Sequence, residues 1–185
     1  MTGPGRSRGF TLIEILVAVT IVAIVLSVAV LSVGVVGDDR EVRKEARRFV
    51  ALFEVATDEA LFQGREFGVE LLRSGYRFVE FDPASNQWAA VVGDDVLRQW
   101  ELPEDITLSL RVEQREIVLE NEAAVIDDGE DAGSRARDYT PHLLIFSSGE
   151  ATPFVLSFLR EYDDRRVTVQ GDLLGNLEIG DDENA

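Results

Sequence analysis

The sequence predicts an α+β fold in which a long N-terminal helix, half apolar and half amphipathic, packs on two small antiparallel β-sheets. Three observations carry that expectation. Ile15 to Gly37 is a run of 23 residues without a charge. Val42, Ala46, Phe49, Phe53, Ala56 and Ala60 then recur at three- and four-residue intervals, and from Phe67 the pattern changes to short alternating runs rich in β-branched and aromatic residues.

As a helix rising about 1.5 Å per residue, the charge-free run is roughly 35 Å long, enough for a hydrocarbon core of about 30 Å. It exceeds the roughly 7 to 15 apolar residues of a cleaved secretory signal. No Ala-x-Ala-like site follows it, since Ser32-Val33-Gly34-Val35-Val36-Gly37 runs directly into Asp38-Asp39-Arg40. The segment is therefore expected to stay with the mature protein. Arg6 and Arg8 precede it and Asp38 and Asp39 follow, which predicts a cytoplasmic N-terminus with the rest across the membrane. Gly34 and Gly37 each weaken a helix by about 1 kcal/mol relative to alanine, which fits either a bend at the outer boundary or close packing against neighbouring helices.

Between Arg8 and Asp38 the single charge is Glu14. A carboxylate at the edge of a membrane-length segment costs free energy unless something outside the segment pairs with it, so Glu14 is the first functional candidate. The plain alternative is a signal anchor in which Glu14 snorkels to the interface.

Past the apolar run, the stripe from Val42 to Ala60, widened by Leu52 and Leu61, predicts a buried helix face. The other face carries Arg43, Lys44, Arg47, Arg48, Glu54, Asp58 and Glu59, and Gly64 supplies a C-terminal stop. The basic cluster Arg40, Arg43, Lys44, Arg47 and Arg48 is interleaved with Glu41 and Glu45. That pattern reads as a solvated or subunit-facing surface rather than a nucleic-acid patch.

Strands are expected at Phe67 to Leu72 and Tyr76 to Asp82, joined by Arg73-Ser74-Gly75 as a hairpin. Further strands are expected at Trp88 to Val92, Leu97 to Leu102, Ile106 to Val112, Ile117 to Glu120, Leu143 to Phe146, Phe154 to Arg160, Val167 to Gly171 and Leu177 to Ile179. Turns fall at Asp82-Pro83, Pro103-Glu104-Asp105, Ser147-Ser148-Gly149 and Gly175-Asn176. One of the two resulting sheets is expected on the exposed half of the helix.

The motif Gly9-Phe10-Thr11-Leu12-Ile13-Glu14, after a short basic leader and before an apolar helix, resembles the leader of type IV pilins and of the pseudopilins of type II secretion. The resemblance implies a pilin-like fold, cleavage after Gly9 by a membrane prepilin peptidase, and N-methylation of Phe10. It also implies a subunit-assembly role for Glu14, whose carboxylate would meet the new amine of a neighbouring subunit. The implied organisation is a leader over 1–9, a transmembrane helix over 10–37, its periplasmic amphipathic half over 38–64, and a β-rich periplasmic domain over 65–185 with an acidic loop at about 121–139. Gly64-Arg65-Glu66-Phe67-Gly68, Gly75-Tyr76-Arg77-Phe78, Trp88, Ser147-Ser148-Gly149-Glu150 and Thr152-Pro153-Phe154 resemble the GspH-type minor pseudopilins. That branch implies an inner-membrane subunit at or near a pseudopilus tip, working with other pseudopilins and the inner-membrane secretion platform to export folded proteins. A FimT-like pilus subunit is the alternative.

Charge bears on that alternative, since some FimT-like subunits bind DNA through basic C-terminal regions. The formal charge here is −17, and from Glu101 onward 21 acidic residues face 7 basic ones, so no nucleic-acid partner is expected. Cysteine is absent, and the one histidine, His142, adjoins Pro141 at a strand entrance, where a surface or hydrogen-bonded role fits better than catalysis. Ser147-Ser148-Gly149-Glu150 resembles a nucleophile turn only loosely, with no histidine-carboxylate partner to complete it. Asp127-Asp128-Gly129-Glu130-Asp131-Ala132-Gly133 offers oxygen ligands without EF-hand spacing, and reads as a solvated loop. No enzyme activity, cofactor or metal is expected. A membrane-anchored binding domain unrelated to filaments is the reading of a different class.

Overall fold

The computed structural model describes residues 11–91, 93–124, 126, 139–160 and 166–182; for 28–39 and 181–182 it describes the backbone alone. Gly9, Phe10 and the acidic run Asp127 to Gly133 lie outside the described residues. The chain divides into two compact units, Met1–Glu41 and Val42–Ala185, and the helix α1 (Leu12–Gln63) contributes to both.

In the first unit α1 begins where Thr11 accepts the Glu14 N–H, at 3.3 Å on its side-chain oxygen and 3.1 Å on its carbonyl. Thr11 and Glu14 thus take the N-cap and N3 positions of a helix start. Large apolar side chains are exposed all round this segment, from 85 % at Leu12 to 48 % at Val17. Thr20 and Ser27 donate their hydroxyls to the carbonyls of Leu16 and Ala23, each at 2.8 Å, so the helix satisfies its own polar groups without water. Among the described residues no helix is long and apolar enough to cross a membrane, and the run with described side chains stops at Ser27, inside the expected span.

In the second unit the three- and four-residue spacing does what it predicts. Val42, Ala46, Phe49, Leu52, Phe53, Ala56 and Ala60 are all buried, whereas Leu61, expected to widen the stripe, is 51 % exposed. The helix ends at Gly64, which takes a left-handed φ of +66° and donates to the Ala60 carbonyl at 3.0 Å.

Among the described residues ten strands follow: β1 (Phe67–Leu72), β2 (Gly75–Asp82), β3 (Gln87–Ala90), β4 (Trp100–Glu101), β5 (Ile106–Val112), β6 (Arg115–Ile117), β7 (Leu143–Ile145), β8 (Phe154–Arg160), β9 (Arg166–Gly171) and β10 (Leu177–Asp182). They form two antiparallel sheets. One has the order β3-β2-β1-β7 with β4 also on β2; the other runs β10-β9-β8-β5-β6. Both sheets reach the helix, as the expected helix-on-two-sheets fold requires. Phe49 meets Tyr76 of the first sheet edge-on at 5.2 Å, and Phe154 and Phe158 of the second at 6.1 and 6.3 Å.

Two strand expectations need correction. Of Leu97 to Leu102 only Trp100 and Glu101 pair, because the Asp94 carboxylate accepts the Val96 and Leu97 N–H groups at 2.6 and 3.2 Å and holds the chain in a turn. The strand placed at Ile117 to Glu120 lies instead at Arg115–Ile117. A two-residue hairpin at Glu113 and Gln114, both left-handed with φ of +48° and +65°, folds β6 back on β5 earlier than the sequence signals. Gly75 is demanded by proximity: a Cβ there would lie 2.3 Å from the Trp100 carbonyl oxygen, so only glycine lets β4 close on β2.

Candidate assembly surfaces

Glu14 occupies the first turn of α1 and is exposed among Leu12, Ile13 and Ile15. Its carboxylate sits where the helix dipole favours negative charge. Phe10, its expected counterpart in a neighbour, lies outside the described residues. The cap at Thr11, which the sequence reading missed, gives Glu14 a helix-starting position beside any intermolecular one.

The basic cluster splits into two parts. Arg40, Lys44 and Arg47 are exposed. Arg48 instead bonds the buried Glu45 at 2.5 Å and lies over the Trp100 ring at 4.9 Å, with Arg98 over the same ring at 3.9 Å. Glu45, read from sequence as part of a solvated surface, is only 3 % exposed, because the helix turns it toward Tyr76. Burial pushes the Tyr76 hydroxyl far above the ordinary tyrosine range, with Arg48 opposing and Glu45 reinforcing the shift.

A second ion pair with a buried carboxylate lies beside Ala124. Glu70 on β1 and Arg77 on β2 are cross-strand partners and form an ion pair. The second Glu70 oxygen accepts the Ala124 N–H at 2.8 Å, while Arg77 also donates to the Ala124 carbonyl. His142 stands beside this pair. Its Nδ1 accepts the Leu71 N–H at 3.1 Å, and the His142 backbone N–H donates to the Val69 carbonyl at 3.0 Å, so the side chain continues the β1–β7 ladder by one bond. Desolvation lowers the pKa of His142, against a smaller upward pull from Glu70. The ring is a neutral acceptor, a structural role.

The Ser147-Ser148-Gly149-Glu150 motif forms a turn. Gly149 has a φ of +89°, its N–H donates to the Phe146 carbonyl at 2.9 Å, and Phe146 N–H donates to the Glu150 carbonyl at 2.9 Å. Among the described residues no three histidine, cysteine or carboxylate side chains converge to hold a metal.

A helix exposed and apolar at one end, amphipathic beyond, and roofed by two sheets defines a pilin-like assembly subunit. Residues 4–36 match the prokaryotic N-terminal methylation motif and residues 45–175 match the type II transport protein GspH family. Type II secretion system protein H of Aeromonas hydrophila is 33 % identical over 96 % of both chains, and that of Pseudomonas aeruginosa is 38 % identical over 81 % of both. The fold is shared with the minor pseudopilin EpsH of Vibrio cholerae, at a TM-score of 0.58 and 22 % identity over 78 % of this chain and 99 % of that one. The solution structure of Escherichia coli GspH gives 0.52 at 20 % identity, over 77 % and 87 %. The chain belongs to the GspH family, the minor pseudopilins of the type II secretion system. It is a structural, membrane-anchored pseudopilus component that assembles with other pseudopilins, and the FimT-like alternative is not favoured.

Proposed function

We propose that this chain is cut after Gly9 by a prepilin peptidase, methylated at Phe10, and drawn into the pseudopilus by pairing of Glu14 with the Phe10 amine of a neighbour. In this reading 10–37 spans the inner membrane with its N-terminus in the cytoplasm, 38–64 continues the helix, and 65–185 is periplasmic. The subunit stands at or near the tip, engages the inner-membrane platform during assembly, and supports export of folded proteins across the outer membrane.

The observation that carries the reading is the lone carboxylate at the start of a helix whose large apolar side chains stay exposed from Leu12 to Leu26. A helix apolar all round needs a lipid or protein surround, and a single charge within it gains most from a partner charge. Desolvation offsets much of the attraction, so the pair sets register more than strength. The test is the mature mass together with filament entry. Gly9→Val should leave uncut precursor; Glu14→Ala should be processed and inserted but enter the pseudopilus poorly. Normal cleavage of the first, or normal incorporation of the second, would overturn the corresponding assignment.

A further inference from the structure

We infer that the pole of the second unit at the C-terminal end of α1 is a docking surface for another pseudopilin, one that presents apolar side chains flanked by lysine or arginine. Four large apolar side chains lie open there: Leu61 at 51 %, Phe62 at 95 %, Leu173 at 56 % and Leu174 at 71 % exposure. Single exposed residues such as Val118 are ordinary, but several large apolar side chains left open at one pole of a folded unit mark an interaction site.

Three elements bring Leu61, Leu173 and Leu174 to this pole, with Phe62 next to Leu61 on the helix. A Cβ on Gly149 would lie 3.3 Å from the Leu61 side chain, and one on Gly175 would lie 3.1 Å from the Gly149 carbonyl and 3.8 Å from Thr57, one helical turn before Leu61. The Leu173 carbonyl accepts the Ala151 N–H at 3.0 Å, which fastens the β9–β10 turn to the chain just past the Ser147 turn. The turn itself is built firmly. Asp172 accepts the N–H groups of Leu174 and Asn176 at 2.8 and 2.9 Å, and Gly175 takes a φ of +76°. Nothing in that geometry needs leucine at 173 and 174, since such positions favour small polar residues.

Charge names the partner. Asp58, Glu150 and Asp172 are exposed and Glu59 half-buried around the patch. An acidic collar on an apolar centre attracts an apolar spot with a basic collar and repels an acidic one. The inference rests on the secretion reading above, in which a minor subunit assembles with other pseudopilins, so the occupant is one of those rather than a second copy of this chain. A second copy is the competitor to eliminate, because Lys44 and Arg47 stand exposed on this chain's own helix.

The absence of cysteine makes the test direct. Full-length Phe62→Cys, Leu174→Cys and, as a control on another strand end, Val118→Cys are expressed with the complete set of pseudopilins, and crosslinked partners are identified by mass. Phe62→Cys and Leu174→Cys should capture another pseudopilin at least tenfold more than Val118→Cys. In parallel, Phe62→Glu and Leu174→Glu should keep the wild-type melting temperature and lower secretion at least tenfold. Equal capture from Val118→Cys, capture of a second copy, or wild-type secretion by the charged variants overturns the docking surface. Export that survives deletion of the whole chain overturns the secretion reading instead.

Discussion

Glu70 and Arg77 stand directly opposite each other on β1 and β2, and through Ala124 the same two side chains fix the segment that leads into the acidic run. Glu70 is 4 % exposed, so its charge is tolerable only while Arg77 is present. Arg77→Met should cost about 3 to 5 kcal/mol in guanidinium unfolding of the full chain in detergent. Replacing both residues together with an apolar pair should recover most of that loss, because no buried charge is then orphaned. A single variant as stable as wild type would contradict the pairing.

His142 gives the pH dependence a direction. Its folded-state pKa lies below the usual 6.5 because burial disfavours the imidazolium, and protonation also removes the lone pair that accepts the Leu71 N–H. The unfolded chain therefore takes up the proton first as the medium acidifies. The His142 contribution to stability is fully present above about pH 6.5 and is lost as pH falls below it. Melting temperatures from pH 7.5 down to 5 should decline less steeply for His142→Gln, whose side-chain oxygen can still accept the Leu71 N–H. Parallel curves would remove His142 from the account.

The hairpin between β5 and β6 holds two non-glycine residues in the left-handed region, each at a cost of about 1 kcal/mol. Glu113→Asn with Gln114→Gly should raise unfolding free energy by about 1 kcal/mol with secretion unchanged, read by denaturant midpoint. An unchanged midpoint would mean that the turn stores no such strain.

Two core substitutions separate volume from backbone fit. Phe49→Ala should cost about 3 to 5 kcal/mol, because it empties a site packed by aromatic rings from both sheets. Gly75→Ala adds only a methyl group, yet should cost about 1 to 3 kcal/mol, since the obstacle is the backbone oxygen of Trp100. Midpoints near wild type for either would refute the packing described.

The parts of this chain that were legible in sequence are those written by periodicity. Phe67 to Leu72, Ile106 to Val112 and Phe154 to Arg160 are short apolar-rich runs between turn residues, and they are strands at those bounds. The helix stripe from Val42 to Ala60 was equally plain, because one apolar face needs one regular spacing. What periodicity could not show was tertiary choice. Glu45 is buried on the helix face turned toward Tyr76, where it pairs with Arg48, whose guanidinium lies over Trp100 more than fifty positions along the chain. The Glu113-Gln114 turn carries no glycine, and Leu173-Leu174 reads as core until the fold leaves both leucines outside. Gly9 and Phe10 were singled out by motif, and Glu14 also as the lone charge of the apolar run.

Phe49 is the ring on which both sheets rest. Each sheet is floored by the same few turns of α1, so neither keeps a closed interior once that rod is withdrawn. A force applied to these turns of α1 must therefore be borne by both sheets at once. The folded body should yield in one catastrophic step rather than shed one layer at a time.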